Sequence, residues 1–142
     1  MAVAKMADMR VLLVVEDDPI DQAIIGKALA PYASEIEVKF ASDGIDAMQM
    51  LKSGAADPDL VLTDLRMPGM DGYGLLASLK CNAELKAIPV IVLSTTDDED
   101  EVRVCYEYHA NAFLSKPHSL ESYRKMAESI VDFWFGETLL PN

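Results

Sequence analysis

The chain has 142 residues, of which 51% are hydrophobic and 25% charged, as expected for one globular domain. Its 12 basic residues face 24 acidic ones, and the resulting net charge of −12 argues against partners such as nucleic acid or anionic membrane surfaces. The apolar run 11–15 is too short for a signal peptide or a membrane span. Two cysteines without a CxxC pair favour a reducing compartment. We therefore expect one cytoplasmic domain over 1–142, with its core at about 10–130 and a helix extension and tail at about 131–142.

Short apolar runs alternate with helical segments along the chain. The runs are continuous rather than alternating, which is typical of strands that are buried on both faces of a sheet. Alternating strands and helices predict an α/β fold, a doubly wound parallel sheet of five strands with helices on both faces. The predicted strands lie at 11–15, 36–40, 60–62, 90–93 and 112–114.

The predicted helices have recognisable starts. Asp18, Asp43 and Ser119 are the expected N-caps of the first, second and fifth helices, because their side chains can accept hydrogen bonds from free backbone N–H groups. Thr96 to Glu99 is a predicted capping box for the fourth helix. The third helix is expected over about 73–85.

Polar residues follow the strands where each one ends. Glu16, Asp17 and Asp18 follow the first strand, Asp64 the third, Ser94 the fourth and Lys116 the fifth. Ligands of such sheets bind at the carboxyl ends of the strands, so we expect these side chains to gather at one edge. Acids in place of a glycine-rich loop argue against a dinucleotide or flavin phosphate cradle.

This set of side chains suits phosphoryl chemistry. Carboxylates, a carbonyl and retained waters are the ligands that Mg²⁺ prefers. Lys116 and Ser94 would donate to phosphoryl oxygens, and an aspartate in such a place can act as a nucleophile and form an acyl phosphate. The sequence therefore predicts a phosphoaspartate site.

Four motifs in order resemble the response-regulator receiver domain (CheY-like), the phosphoacceptor part of two-component signalling. The resemblance extends from residue 10 to about residue 130. The motifs are Val-Val-Glu-Asp-Asp-Pro at 14–19, Leu-Thr-Asp-Leu-Arg-Met-Pro-Gly-Met-Asp-Gly at 62–72, Pro-Val-Ile-Val-Leu-Ser at 89–94 and Phe-Leu-Ser-Lys-Pro at 113–117.

The resemblance implies a phosphoacceptor and a magnesium site. Asp64 would be phosphorylated. Asp64, Asp17 and the backbone carbonyl of Arg66 would bind the magnesium ion directly, and Glu16 would hold it through water. The Arg66 side chain could shield the acyl phosphate or be solvated.

The resemblance also implies a switch. Ser94 and Lys116 would bind the phosphoryl oxygens, and Phe113 would be the aromatic residue that turns inward after phosphorylation. Core packing of Phe113 without switching is the alternative. His109 stands where the family usually has glycine, so we expect a mildly strained helix end or one extra helical residue there.

The resemblance further implies protein partners, a cognate histidine kinase and a downstream target. Only 26 residues follow Lys116, so we expect a single-domain response regulator without a DNA-binding domain. The Ser94-Thr95-Thr96 run, Phe133-Trp134-Phe135 and the Leu-Leu-Pro ending are similar to a subgroup associated with bacterial phytochrome kinases.

The last helix suggests a dimer. At 100° per residue, Met126 and Phe133 lie about 110° from the centre of its core face. They either pack against a neighbouring helix of the same chain or form an exposed apolar patch. In the second case we expect a homodimer through the fourth helix, fifth strand, fifth helix and C-terminal tail, strengthened by phosphorylation.

Two other functions are considered. A phosphohydrolase of the haloacid-dehalogenase type would need an aspartate two residues after its nucleophile, where this chain has Arg66. A constitutive scaffold with a receiver fold would be expected to lack Asp17, Asp64 or Lys116, and all three are present.

Overall fold

The computed structural model describes residues 9–137 and 139–141. A single parallel sheet forms its centre, with strands β1 (Arg10–Val15), β2 (Ile36–Ala41), β3 (Leu60–Asp64), β4 (Val90–Ser94) and β5 (Ala112–Ser115). The strand order is β2-β1-β3-β4-β5, and every neighbouring pair is parallel. The predicted doubly wound fold is confirmed.

Helices cover both faces of the sheet. They are α1 (Pro19–Leu29), α2 (Gly44–Ser53), α3 (Gly72–Lys80), α4 (Glu99–Glu107) and α5 (Leu120–Ile130). Apolar residues of α1 and α5 pack on one face, and those of α2, α3 and α4 pack on the other. No helix within residues 9–137 and 139–141 has the length and apolar composition needed to cross a bilayer.

The strands are apolar at successive positions because each face has its own core. In β1, Leu12 and Val14 join the core under α1 and α5, whereas Leu13 and Val15 join the opposite core. All four side chains are at most 1% exposed. Burying each of them stabilises the fold by about 1.5–3 kcal/mol, so two-sided burial explains the continuous apolar runs.

Side-chain caps fix where the helices begin. Asp18 accepts a hydrogen bond from the Ile20 N–H at 2.9 Å, and Ser119 accepts one from Ser122 at 3.1 Å. Asp43 caps α2 in the same way, through the Asp46 N–H. These three predicted N-caps are confirmed.

Two predicted helix limits are wrong. The cap of α4 is Asp98, whose carboxylate accepts from the backbone N–H groups of residues 100 and 101, while the Thr96 hydroxyl accepts from the Asp98 N–H. Helix α3 ends at Lys80 rather than near residue 85. Asn82 accepts hydrogen bonds from the N–H groups of residues 84 and 85, and this local turn competes with the helix.

His109 has a φ of 70° and closes α4 in a left-handed conformation. Its N–H donates to the carbonyl of Tyr106, and the next N–H donates to the carbonyl of Cys105. Of the two alternatives, the strained helix end is therefore present, and α4 is not prolonged by the extra helical residue.

Beyond α5 the chain continues as a π-helix, Val131–Glu137. Met126, Trp134 and Phe135 pack against the core under α1 and α5, whereas the Phe133 side chain is 52% exposed. Of the two alternatives for Met126 and Phe133, packing within the chain holds for Met126 and exposure holds for Phe133. The expected patch of both residues is corrected to Phe133, because Met126 is partly covered by its own core.

Candidate phosphoacceptor site

Three carboxylates meet where β1 and β3 end. Glu16 directly follows β1, and Asp64 is the last residue of the adjacent β3. One carboxylate oxygen each from Glu16, Asp17 and Asp64 lies within 4.8 Å of the others. Glu16 and Asp64 are only 1% and 8% exposed, while Asp17 is open to solvent. The strand order reverses between β1 and β3, which is where such sheets form their binding crevice.

The Asp64 carboxylate is held by its own loop. Its Oδ1 accepts a hydrogen bond from the Leu65 N–H at 2.8 Å. The loop returns at Gly72, where a Cβ atom would lie 2.6 Å from the Asp64 carbonyl oxygen. Only glycine permits this approach, so the first turn of α3 packs directly on the end of β3.

Lys116 joins the acids from the other side. Its Nζ lies 2.9 Å from Glu16 Oε1, 2.9 Å from Asp21 Oδ2 and 3.1 Å from Asp64 Oδ2. Lys116 directly follows β5, and its backbone N–H donates to the carbonyl of Ser94 at the end of β4, at 2.8 Å. This hydrogen bond positions Lys116 at the carboxyl edge of the sheet. Burial alone would lower the pKa of Lys116, but its hydrogen bonds to Glu16 and Asp21 and the charge of Asp64 raise it above its ordinary value.

Glu16 is the carboxylate that the fold perturbs most clearly. Burial raises its pKa from 4.5 to about 7, although its hydrogen bond with Lys116 and the Asp18 N–H oppose the shift. The nearby charge of Asp64 adds a smaller rise in the same direction. A divalent cation here would favour the charged carboxylate and so reverse the effect of burial.

Ser94, the last residue of β4, lies beside a network of polar side chains. Ser94 is 1% exposed, and its Oγ lies 3.4 Å from the Thr96 N–H. The Thr96 hydroxyl donates to Glu101 of α4 at 2.7 Å, and Glu101 forms an ion pair with Arg66. This ion pair links the loop after β3 to α4, and the Arg66 side chain is 65% exposed.

Phe113 lies on β5, partly buried against the core under α2, α3 and α4. Its backbone N–H donates to the Tyr106 hydroxyl of α4 at 3.2 Å. Because β5 is at the edge of the sheet, the Phe113 N–H has no neighbouring strand to donate to, and the Tyr106 hydroxyl accepts its hydrogen bond instead.

The donor set fits a hard divalent cation. All three clustered groups are carboxylates, and an oxygen-only set with solvent access through Asp17 is what Mg²⁺ prefers. The set contains neither the thiolates nor the imidazoles that softer metals favour.

Asp21 is the contact of Lys116 that sequence reasoning missed. It lies in the first turn of α1, three residues after the N-cap Asp18, and its side chain is 25% exposed. The available signal was its position in a first turn beside the acidic end of β1, but that spacing alone does not show which way the side chain points.

The family model of the response regulator receiver domain matches residues 12–128. The chain belongs to the response regulator receiver family. This family forms part of two-component systems, in which a receiver interacts with a histidine kinase and with downstream targets. The family is a signalling family, and membership does not favour the phosphohydrolase alternative.

Three comparisons indicate where this receiver lies within the family. It is 36% identical over 137 residues to the response regulator Rcp1 of Synechocystis sp., with 93% of each chain covered. The phosphorylated cyanobacterial phytochrome response regulator RcpA matches with a TM-score of 0.89 at 35% identity, over 94% of this chain and 99% of that one. The Mn²⁺-bound form of Rcp1 matches with a TM-score of 0.85 at 36% identity and the same coverage. The predicted similarity to the phytochrome-associated subgroup is confirmed.

Proposed function

We propose that Asp64 is the residue of this receiver that accepts the phosphoryl group of a histidine kinase. The observation that carries this proposal is the buried contact of Lys116 with both Asp64 and Glu16. An Asp64 oxygen forms the new P–O bond while the P–N bond of the kinase phosphohistidine breaks. Lys116 and Ser94 donate hydrogen bonds to the phosphoryl oxygens and offset their charge.

Acetyl phosphate labelling tests this assignment directly. The wild-type protein, incubated with acetyl phosphate and Mg²⁺, is expected to gain one phosphoryl group on the peptide that contains Asp64. Asp64→Asn is expected to gain none. Asp57→Asn removes an exposed acid from the opposite end of β3 and is expected to label like wild type. Labelling of Asp64→Asn at the wild-type level would assign the phosphoacceptor elsewhere.

Mg²⁺ is the proposed cofactor. Asp17 and Asp64 would bind it directly with the carbonyl of Arg66, and Glu16 would hold it through water. When bound, the ion neutralises the negative charge that accumulates as the phosphoryl group arrives. Support comes from the oxygen-only donor set and from the Mn²⁺-bound structure of Rcp1.

The output is a changed protein surface. Phosphorylation would draw Ser94 towards the phosphoryl group and turn Phe113 inward, which shifts α4 and β5 between two arrangements. The similarity to RcpA supports a phytochrome-type kinase as the donor, acting in the cytoplasm. Phosphotransfer from such a kinase is expected to be faster than from an unrelated histidine kinase at equal concentration.

A homodimer through α4, β5, α5 and the tail is the proposed means of output. Phe133 is 52% exposed, Tyr106 on α4 is 48% exposed and Leu139 in the tail is 96% exposed. An apolar groove of about 290 Å³ runs between β5 and α5, lined by Leu114, Met126 and Trp134 among others. Exposed apolar surface of this kind typically marks an interface.

Sedimentation with and without fluoroberyllate, a phosphoryl mimic, tests the dimer. Wild type is expected to dimerise more strongly with the mimic, and Phe133→Asp to remain monomeric. A wild-type monomer at high micromolar concentration under both conditions would exclude this interface.

A further inference from the structure

All three N–H donors of the Lys116 ammonium are engaged by carboxylates. The ammonium carries three N–H groups, and three carboxylate oxygens, one each from Glu16, Asp21 and Asp64, lie within 3.1 Å of Nζ. If Lys116 is to donate to a phosphoryl oxygen on Asp64, one of these three contacts must be given up.

The three carboxylates differ in what they lose when the ammonium leaves. The Glu16 side chain is 2% exposed, so bulk solvent has little access to replace the lost hydrogen bond. Asp64 carries the phosphoryl group and remains beside Lys116 in any case. The Asp21 side chain is 25% exposed, so water can solvate it once the ammonium has moved.

We propose that Asp21 is a positioning residue that holds Lys116 in the unphosphorylated state and yields it to the phosphoryl group. This inference rests on the proposed role of Asp64. Asp21 then competes with the phosphoryl oxygens for the same N–H donor, so its carboxylate favours the unphosphorylated receiver. Release of Asp21 also breaks the contact between the first turn of α1 and the end of β5.

Fluoroberyllate binding in the presence of Mg²⁺ tests the competition. Asp21→Asn keeps the shape of the side chain but removes its charge. We expect it to bind the mimic roughly threefold to fivefold more tightly than wild type, as the loss of a partly exposed ion pair implies. With acetyl phosphate, the steady-state phosphorylated fraction should rise in parallel.

Asp18→Asn is the matched control. It removes the same charge three residues away, keeps a residue type that caps helices equally well, and leaves the Lys116 contacts intact. A general reduction of negative charge would tighten binding in both variants alike, whereas the proposed competition tightens it in Asp21→Asn alone. Thermal unfolding confirms that both variants are folded before binding is compared.

The outcomes separate this inference from the function on which it rests. If wild type binds fluoroberyllate and Asp21→Asn binds no more tightly than Asp18→Asn, Asp21 does not compete and the inference is wrong. Weaker binding by Asp21→Asn would likewise contradict it, since Asp21 would then orient Lys116 towards the phosphoryl group. If wild type and both variants bind no mimic, the phosphoacceptor function is itself wrong, and the inference fails with it.

Discussion

The two ends of the sheet each bury a carboxylate, but they balance its charge differently. At the amino end, Asp59 is 8% exposed, accepts a hydrogen bond from the Val11 N–H at 2.9 Å and pairs with Arg10 at 3.5 Å. Among the contacts of the described residues, this carboxylate is therefore paired with a guanidinium.

At the carboxyl end, four carboxylates cluster near one ammonium, that of Lys116. Lys116 contacts Glu16, Asp21 and Asp64, and Asp17 lies beside Glu16 and Asp64. With every group ionised, four negative charges and one positive charge give this cluster a net charge of −3. The four are Glu16, Asp17, Asp21 and Asp64.

This difference separates a structural ion pair from a site. Buried like charges raise the pKa values of carboxylates and cost stability, so the carboxyl-end cluster is less favourable for folding than a carboxylate paired like Asp59. The excess charge at the carboxyl end becomes useful when a divalent cation is present. In the proposed function, such a cation would offset the negative charge of this edge before a phosphoryl group arrives.

Removing the basic side chain at each end of the sheet, Lys116 or Arg10, gives the largest expected difference in the free energy of unfolding. Lys116→Met leaves the buried Glu16 and Asp64 without their shared partner, and we expect a loss of about 2–4 kcal/mol in the free energy of unfolding at pH 8 without metal. Arg10→Met is expected to cost under about 1 kcal/mol, because Arg10 is partly exposed and Asp59 keeps the Val11 N–H. Urea unfolding measures both values.

The Lys116 variant is still expected to fold, but to lose the response to phosphorylation. Equal losses of stability at the two ends would show that the carboxyl edge is no more strained than the amino edge. Normal target binding by phosphorylated Lys116→Met would contradict the role of Lys116 in signalling.

The second contrast is in pH dependence. Burial raises the pKa of Glu16 to about 7 in the folded chain, from an ordinary value of 4.5. Between these values the folded state holds the proton that the unfolded state has lost, so Glu16 makes stability fall as pH rises through this window. Without metal, Glu16→Gln is expected to remove about 2 kcal/mol of this decline between pH 4.5 and 7.

Thermal unfolding at several pH values, with Asp57→Asn as the control for an exposed acid, measures this slope. The control is expected to keep the wild-type decline. If Glu16→Gln declines as steeply as wild type, the proton is held by another group of the cluster.

Metal binding is the third way to test the excess charge. Mg²⁺ at ten times its dissociation constant is expected to add about 1.4 kcal/mol to the stability, or roughly 3–6 °C in Tm. Asp17→Ala should remove most of this gain, while Asp57→Ala should retain it. An unchanged Tm of wild type in millimolar Mg²⁺ would show that the acidic edge does not bind this ion.

The strand-end residues could be predicted because the apolar runs fix where the strands stop. Once the strands before Glu16, Asp64 and Lys116 are parallel members of one sheet, the residues that follow them must share one edge of that sheet. The direction of a side chain in a helix needs more than spacing. Asp21 was missed for this reason, because only the three-dimensional structure shows that its side chain faces Lys116.

The remaining errors have local causes. Two candidate caps, Thr96 and Asp98, lie close together, and only the path of the loop selects between them. The prediction for Met126 and Phe133 assumed 100° per residue, whereas the chain changes to a π-helix from Val131 and turns by a smaller angle at each residue. A pattern extrapolated across that change cannot give the direction of Phe133 relative to Met126, so the two residues do not form the single patch that was predicted.

The smallest expected effect concerns the exposed cation at the carboxyl edge. Arg66 pairs with Glu101, but its side chain is 65% exposed, whereas that of Lys116 is 9% exposed. We expect Arg66→Ala to lower the free energy of unfolding by less than about 1 kcal/mol, and 0.5 M NaCl to remove most of that loss. The loss in Lys116→Met should persist in salt, because buried charges are screened much less. Urea unfolding at two salt concentrations distinguishes these cases. A salt-insensitive loss above about 2 kcal/mol in Arg66→Ala would place Arg66 with the buried ions, and the contrast between exposed and buried charge would fail at this edge.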